Sequence, residues 1–164
     1  LLKDIKERFK TPENTVVLSP DVGSVPISQA YAKRLGMHFA LIDKRRYSPN
    51  KAEVMHLIGN LEGKDVLIID DMIDTAGTTV NAAEAALKNG AKSVSAVATH
   101  AVLSGPALER IDNSQIKHIL FTDTLFIPES KKRNNIDVVS VADIFGEAIK
   151  RIHRGESVSA LFDF

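Results

Sequence analysis

Short apolar runs alternate along this chain with segments whose apolar residues recur every three or four positions. Six apolar runs predict strands, at residues 15–19, 39–42, 66–69, 94–98, 119–121 and 138–139. Helical spacing predicts four helices, at residues 1–9, 28–35, 80–89 and 143–154. Strands that are apolar along their whole length, and that alternate with helices, indicate a parallel sheet covered on both faces. We therefore predict an α/β fold of three α/β/α layers around a mainly parallel sheet, in a single domain spanning residues 1–164.

The composition removes several classes of function. Lys plus Arg and Asp plus Glu both number 21, so the formal net charge is zero, which argues against a non-specific binder of polyanions. With no cysteine, the chain can form no disulfide, thiolate metal site or cysteine nucleophile. No apolar run approaches the roughly 18 residues of a membrane span, and the start is polar too early for a signal peptide. We expect a cytoplasmic protein with no membrane or nucleic-acid partner. The first residue is not methionine, which favours a piece of a longer chain.

The strongest candidate site follows the third predicted strand. Residues 70–79 read Asp-Asp-Met-Ile-Asp-Thr-Ala-Gly-Thr-Thr and are interpreted as a loop before a helix. Its threonines supply hydroxyl donors, and its alanine and glycine let backbone N–H groups approach a ligand closely. The amino end of the following helix adds partial positive charge at the same place. The segment lacks the lysine and the spacing of a Walker-type loop. It is predicted to cradle a phosphate with Asp74, Thr75, Ala76, Gly77, Thr78 and Thr79.

Two adjacent acids precede this phosphate cradle. A carboxylate repels a phosphate, but it accepts hydrogen bonds from the vicinal hydroxyls of a sugar. Asp70 and Asp71 beside a phosphate cradle therefore indicate a sugar phosphate as the ligand. For a single Asp-Thr-Gly turn, helix capping would be the better explanation. The full arrangement between a strand and a helix favours the binding site.

An apolar strand followed by Asp-Asp-x-Ile-Asp-Thr-x-Gly-Thr, here residues 66–78, resembles a known phosphoribosyl pyrophosphate loop. This loop is shared by type I phosphoribosyltransferases and by ribose-phosphate pyrophosphokinases, the PRPP synthases. Two distal segments are similar to the second family only. They are residues 98–107, reading Ala-Thr-His-Ala-Val-Leu-Ser-Gly-Pro-Ala, and residues 155–162, reading Gly-Glu-Ser-Val-Ser-Ala-Leu-Phe. The resemblance therefore favours the pyrophosphokinases and runs along the whole chain.

Two further loops are similar to pyrophosphokinase loops. Residues 42–46, Ile-Asp-Lys-Arg-Arg, followed by Pro-Asn at 49–50 and Glu-Val-Met at 53–55, resemble the catalytic flexible loop. In that loop the residues matching Lys44 and Arg46 act on the transferring phosphates. Arg46 is then also a substrate-binding residue. Residues 19–23, Ser-Pro-Asp-Val-Gly, resemble the pyrophosphate-side loop. The match makes Asp21 the carboxylate expected to hold Mg²⁺, which prefers oxygen ligands.

The resemblance implies a fold like that of type I phosphoribosyltransferases. It also implies that the chain is the carboxyl-terminal half of a two-domain PRPP synthase subunit, without the amino-terminal half. The implied reaction converts ATP and ribose 5-phosphate to AMP and 5-phosphoribosyl 1-diphosphate (PRPP), with Mg²⁺ as cofactor. The implied partners are those ligands, the amino-terminal half and further copies in a hexamer. The fragment alone is expected to be inactive.

The sequence also departs from the family pattern. Ser24 stands where the family usually has a second glycine, and residues 25–30 lack the usual basic side chains. These changes are expected to weaken diphosphate or ATP binding. Two alternatives therefore stay open: a type I phosphoribosyltransferase, and a non-catalytic regulatory homologue of PRPP synthase. His100 is interpreted as structural, and Ser104 has no assignable acid–base partner.

Overall fold

The computed structural model describes residues 1–9, 12–45 and 54–162. Its strands are β1 (Thr15–Ser19), β2 (His38–Arg45), β3 (Val54–Ile58), β4 (Asp65–Ile73), β5 (Ser93–Ala101), β6 (Ile116–Thr122) and β7 (Ile136–Val139). Its α-helices are α1 (Leu2–Arg8), α2 (Val25–Leu35), α3 (Gly77–Lys88), α4 (Ala107–Asp112) and α5 (Ala142–His153). Three short 3₁₀ turns are Pro12–Asn14, Glu129–Lys131 and Ser159–Leu161.

The described strands form one seven-stranded sheet in the order β3-β2-β1-β4-β5-β6-β7. All neighbouring pairs are parallel except β2 and β3, which are antiparallel. The carboxyl ends of β1, β2, β4 and β5 therefore lie along one edge of the sheet. This is the edge at which open parallel sheets bind their ligands. The predicted three-layer α/β fold with a mainly parallel sheet is confirmed.

Alternate residues of the central strands enter two separate cores. Val66 and Ile68 face the core that holds α3 and α4, whereas Leu67 and Ile69 face the core that holds α1 and α2. All four side chains are at most 1% exposed. Successive strand residues point to opposite faces, so a strand covered on both sides must be apolar throughout. This explains why the continuous apolar run at residues 66–69 identified the centre of the sheet.

The structure extends or adds elements where the sequence pattern was weak. Two short elements, β3 and α4, lie in segments for which no element was predicted. Helix α2 begins at Val25, three residues before the predicted start, with Pro26 in its first turn, where proline is tolerated. The left-handed residue Gly36, with φ 67°, ends it as predicted. The third predicted strand is β4 in the structure. It continues to Ile73, so residues 70–73 belong to this strand and not to a loop.

The carboxyl-terminal helix α5 differs from the other helices because it has no buried residue. Its apolar residues Phe145, Ile149 and Ile152 are 58%, 66% and 68% exposed, respectively. Phe162, beyond the helix, is exposed to a similar degree. Among the described residues, no helix has the length and apolar character needed to cross a membrane.

Candidate functional site

A cavity of about 700 Å³ opens at the carboxyl edge of the sheet. Residues between positions 21 and 27, after β1, line one side, and residues 70–79 line the other. The sheet places these two segments together because β1 and β4 are adjacent parallel strands, with Leu18 beside Ile68. The structure thus joins the predicted phosphate cradle, the paired acids and Asp21 in one site.

The paired acids lie on the end of a strand rather than in a loop. Strand β4 runs four residues past the apolar stretch because it continues to pair with β5, where Met72 lies beside His100 and Ile73 beside Ala101. Strand β1 ends at Ser19, so the last residues of β4 extend beyond it into the cavity wall. Asp70 is half-buried and Asp71 is exposed. The loop from β4 to α3 is therefore only residues 74–76.

The predicted phosphate cradle is a tight turn into α3. Ala76 adopts a left-handed conformation, with φ 60° and ψ 2°, and its side chain is 3% exposed. Helix α3 begins at the next residue, Gly77, with no side-chain cap on its first turn. The amino end of this 12-residue helix faces the cavity, where its unpaired N–H groups and the helix dipole favour an anion. The local geometry suits the predicted phosphate.

The opposite wall of the cavity is organised by Ser24. Its hydroxyl lies 2.7 Å from Asp70 Oδ1 and 3.2 Å from Asp21 Oδ1, and its backbone N–H donates to Asp21 Oδ1 at 3.0 Å. With a φ of −86°, Ser24 is unstrained. The position therefore does not need the positive φ that would favour glycine. Instead, the serine joins the carboxylate of Asp21, in the loop after β1, to the carboxylate of Asp70 on β4.

Asp70 is the titratable group of the cavity with a perturbed pKa. Burial raises the pKa of this carboxyl above its ordinary value, and the nearby charges of Asp21 and Asp71 add to the increase. The hydrogen bonds from the Ser24 hydroxyl and the Asp71 N–H act in the opposite direction. Asp70 therefore ionises less readily than an exposed aspartate, and Ser24 limits the difference.

The two carboxylates beside Ser24 suit a hard divalent cation. Mg²⁺ in proteins is commonly held by one or two carboxylates together with water and substrate phosphates. Asp21 and Asp70 present such oxygens into the cavity. Among the described residues there is no cluster of three or more His, Asp or Glu side chains with the arrangement of a metal site. The donor set thus fits a cation that the ligand's phosphates would help to hold.

Two residues that hold the cavity wall in place were missed by the sequence analysis. The Ser104 hydroxyl, after β5, donates to Asp74 Oδ1, and Arg110 Nη1, on α4, donates to the Thr75 carbonyl at 2.9 Å. Both contacts join residues at least 30 positions apart in the chain. No local pattern could have indicated them, although Ser104 had been singled out as polar and unassigned.

The predicted catalytic residues lie at the edge of what the structure describes. Lys44 belongs to the end of β2, where its backbone pairs with Met55. Arg46 lies outside the described residues. Strand β2 ends at the same edge of the sheet as β1, so the basic segment leaves the sheet on the side of the cavity. The roles of Lys44 and Arg46 stay predictions.

His100 has a structural partner outside the cavity lining. Its Nδ1 lies 2.8 Å from Thr124 Oγ1, and that hydroxyl donates to the Thr99 carbonyl at 3.1 Å. The contact between the imidazole ring and the Thr124 hydroxyl holds His100 at the end of β5. This contact is consistent with the structural interpretation of His100.

The chain is similar to a known protein family and to curated proteins. The model of a family described as "Phosphoribosyl synthetase-associated domain" matches residues 44–163. A ribose-phosphate pyrophosphokinase from Oceanobacillus iheyensis is 52% identical over 154 residues, covering 94% of this chain and 49% of the relative. One from Chlorobaculum tepidum is 48% identical over 163 residues, covering 99% of this chain and 50% of the relative. The chain thus spans about half the length of the curated relatives it matches.

Solved structures show the same relationship. A phosphoribosylpyrophosphate synthetase from Mycobacterium smegmatis superposes with a TM-score of 0.86 and 34% identity, over 94% of this chain and 49% of that one. A purine phosphoribosyltransferase from Pyrococcus horikoshii superposes with a TM-score of 0.51 and 19% identity, over 85% of this chain and 84% of that one. The second likeness shows a shared fold only.

Proposed function

Because the chain belongs to the phosphoribosyl synthetase-associated domain family, we propose that it is the ribose 5-phosphate-binding half of a ribose-phosphate pyrophosphokinase. The observation that carries this proposal is the joining of a phosphate cradle and paired carboxylates in one cavity. A ligand with a phosphate at one end and vicinal hydroxyls at the other fits both. The parent reaction would transfer the diphosphoryl group of ATP to the C1 hydroxyl oxygen of ribose 5-phosphate. Attack on the β-phosphorus would release AMP and form PRPP.

Each wall of the cavity has a proposed part in binding. The 5-phosphate would accept hydrogen bonds from the cradle at the amino end of α3. Asp70 and Asp71 would accept hydrogen bonds from the ribose hydroxyls and fix the sugar. Asp21 would hold Mg²⁺, which would neutralise charge on the transferring phosphates when bound. The cradle residues in this proposal are Asp74, Thr75, Ala76, Gly77, Thr78 and Thr79.

The phosphates that move during the reaction need cationic partners. We propose that Lys44 and Arg46 provide them, since β2 leads to the same edge of the sheet as the cavity. A transferring diphosphoryl group builds negative charge on its oxygens, which positively charged side chains stabilise.

The amino-terminal half of the parent subunit would complete the enzyme. We propose that it supplies the nucleotide site, so this chain alone should bind ribose 5-phosphate without turning over ATP. The parent enzyme is proposed to be a homo-oligomer. The exposed apolar residues of α5 are a surface that packing against a second half or subunit would bury.

Calorimetric titration with ribose 5-phosphate, with and without Mg²⁺, tests the proposal. We expect saturable binding that weakens at least about tenfold in the double variant Asp74→Asn, Thr78→Ala, because the Thr78 hydroxyl is lost from the cradle and the charged acceptor of the Ser104 hydroxyl is replaced. Asp143→Asn, on α5 and outside the cavity, makes a matched change of charge and should bind like the unmodified chain. Absence of binding at millimolar ligand, or equal binding by the double variant, would contradict the proposal.

A further inference from the structure

Three successive carbonyl groups of the turn into α3 are bound by a single neighbouring segment. The Leu103 N–H donates to the Ile73 carbonyl at 3.0 Å, and the Ser104 N–H donates to the Asp74 carbonyl at 3.0 Å. Arg110 Nη1 donates to the third carbonyl, that of Thr75, at 2.9 Å. These donors lie between β5 and the middle of α4 and do not line the cavity. We call Leu103, Ser104 and Arg110 the carbonyl clamp.

Fixing a carbonyl also fixes the N–H group that follows it. In a trans peptide the C=O of one residue and the N–H of the next point in opposite directions. The three clamped carbonyls therefore turn the N–H groups of Asp74, Thr75 and Ala76 away from the clamp. Those three residues line the cavity. Among the described residues, none of these N–H groups has an acceptor. Three consecutive donors are thus free for a ligand.

The clamp is itself held in place by its local conformation. Leu103 has a φ of 49° and Gly105 a φ of 51°, so the chain turns sharply after β5 and presents its N–H groups to the cradle. Leu103 is only 2% exposed, and its packing in the core keeps this unusual backbone conformation. The clamp is therefore anchored in the core and not in the cavity.

Two side chains of the clamp add specific contacts. The Ser104 hydroxyl donates to the carboxylate of Asp74, so Ser104 holds this residue through both its main chain and its side chain. The Arg110 Nη1 atom lies 3.2 Å from the position that a Cβ atom on Gly77 would occupy. Its guanidinium therefore brings a permanent positive charge to the outside of a cradle that contains no Lys or Arg.

We propose that the carbonyl clamp presets the cradle for phosphate by directing three consecutive N–H groups into the cavity. Arg110 and Ser104 are then positioning residues, which act on the ligand through the backbone of residues 74–76. This inference rests on the proposed function, because ribose 5-phosphate is the ligand whose phosphate the cradle would hold. Preset donors need no rearrangement on binding, which is the source of the affinity they give.

Ribose 5-phosphate titrations of single variants test the clamp. We expect Arg110→Ala to weaken binding about tenfold and Ser104→Ala to weaken it less, since the Ser104 N–H remains. Both variants should keep a cooperative thermal unfolding transition. Arg133→Ala is the matched control, because Arg133 bonds Asp112 at the end of the same helix without touching the cradle. It should bind like the unmodified chain.

Amide resonances separate positioning from a general loss of structure. On titration of the ¹⁵N-labelled chain, the amide signals of Asp74, Thr75 and Ala76 should move on saturation, and Arg110→Lys should recover part of the affinity by keeping one donor. If the unmodified chain binds no ribose 5-phosphate, the proposed function fails and the clamp loses its ligand. If the chain binds but Arg110→Ala changes affinity less than about twofold, or the three amides do not respond, the clamp alone is refuted.

Discussion

The two walls of the cavity stand on neighbouring strands but are held by different kinds of contact. The turn from β4 into α3 is fixed by main-chain carbonyls bound from outside and by a left-handed residue in the core. The loop after β1 is joined to β4 by the hydroxyl of one residue, Ser24, placed between two carboxylates. One wall therefore depends on backbone conformation, and the other on a single polar side chain. The wall formed by the turn into α3 should tolerate polar substitutions but be destabilised by substitutions that strain its backbone. The wall formed by the loop after β1 should change when the single Ser24 hydroxyl is removed.

Straining the backbone of the first wall should have the largest effect. Ala76→Val places a β-branched residue at φ 60° in a site where the alanine is 3% exposed. We expect the free energy of unfolding to fall by about 3 kcal/mol, because conformational strain and overpacking add. Chemical denaturation measures this change.

A glycine at the same position supplies the control. Ala76→Gly accepts the left-handed conformation and loses only one buried methyl group, so its stability should change by less than about 1 kcal/mol. If the valine variant were as stable as the glycine variant, the turn would not be conformationally constrained.

Removal of the Ser24 hydroxyl tests the second wall. Ser24→Ala should raise the pKa of Asp70 further, because one hydrogen bond that favours its ionised form is lost. Because the pKa of Asp70 is higher in the folded state than in the unfolded state, the stability of the fold falls as the pH rises. The fall begins near the pKa of the unfolded state and is complete above the pKa of the folded state. In the variant this loss should be larger and extend to higher pH. Near neutral pH the additional cost should be about 1 kcal/mol.

Denaturation curves between about pH 3 and pH 7 would follow this dependence, together with an NMR titration of the Asp70 carboxyl. Ser24→Thr keeps a hydroxyl and should leave the pKa of Asp70 close to that of the unmodified chain. Asp70→Asn should abolish the Ser24-dependent difference. An unchanged pKa of Asp70 in Ser24→Ala would show that the serine does not control this wall.

The smallest effect is expected at Gly77, where Arg110 of the carbonyl clamp lies beside the first turn of α3. In Gly77→Ala the new methyl group would approach Arg110 Nη1 at 3.2 Å, and this mobile end of the arginine can shift. The alanine also favours the helix, so stability should change by less than about 0.5 kcal/mol. The shift should weaken the bond to the Thr75 carbonyl and lower ribose 5-phosphate affinity by about two- to threefold. Calorimetry of Gly77→Ala, Arg110→Ala and the combined variant tests this, because the losses of ribose 5-phosphate affinity from the two substitutions should not add.

Parts of this fold followed directly from local patterns. The apolar run at residues 15–19 coincides with β1, and the pattern around Gly36 identified the end of α2. Strand β3 was missed because it is an edge strand of only five residues whose apolar run is interrupted by His56. Residues 70–73 were interpreted as loop because two acids there interrupt the apolar run. Pairing with β5 outweighs their low strand propensity and extends β4 to Ile73.

The candidate site likewise contains residues that the local sequence indicated and residues that it did not. The motif at residues 70–79 could be recognised because its residue types carry the chemistry of binding a sugar phosphate. Ser24 was noted only as a departure, since a sequence cannot show that its hydroxyl reaches Asp70, 46 positions away. Arg110 was not noted, because an arginine on a short helix has no distinctive pattern.

The sequence by itself determined the layered α/β architecture, because burial on both sheet faces requires apolar strands. It also indicated a candidate phosphate cradle, because residues 70–79 combine hydroxyl side chains with small residues before a helix. Only the tertiary structure decided which residues hold those groups in place. Strand order puts β1 and β5 on either side of β4, so Ser24 reaches Asp70 from one side and the carbonyl clamp reaches residues 73–75 from the other. These contacts join residues 30 to 46 positions apart. They depend on strand adjacency, which is a property of the folded chain and not of any local segment.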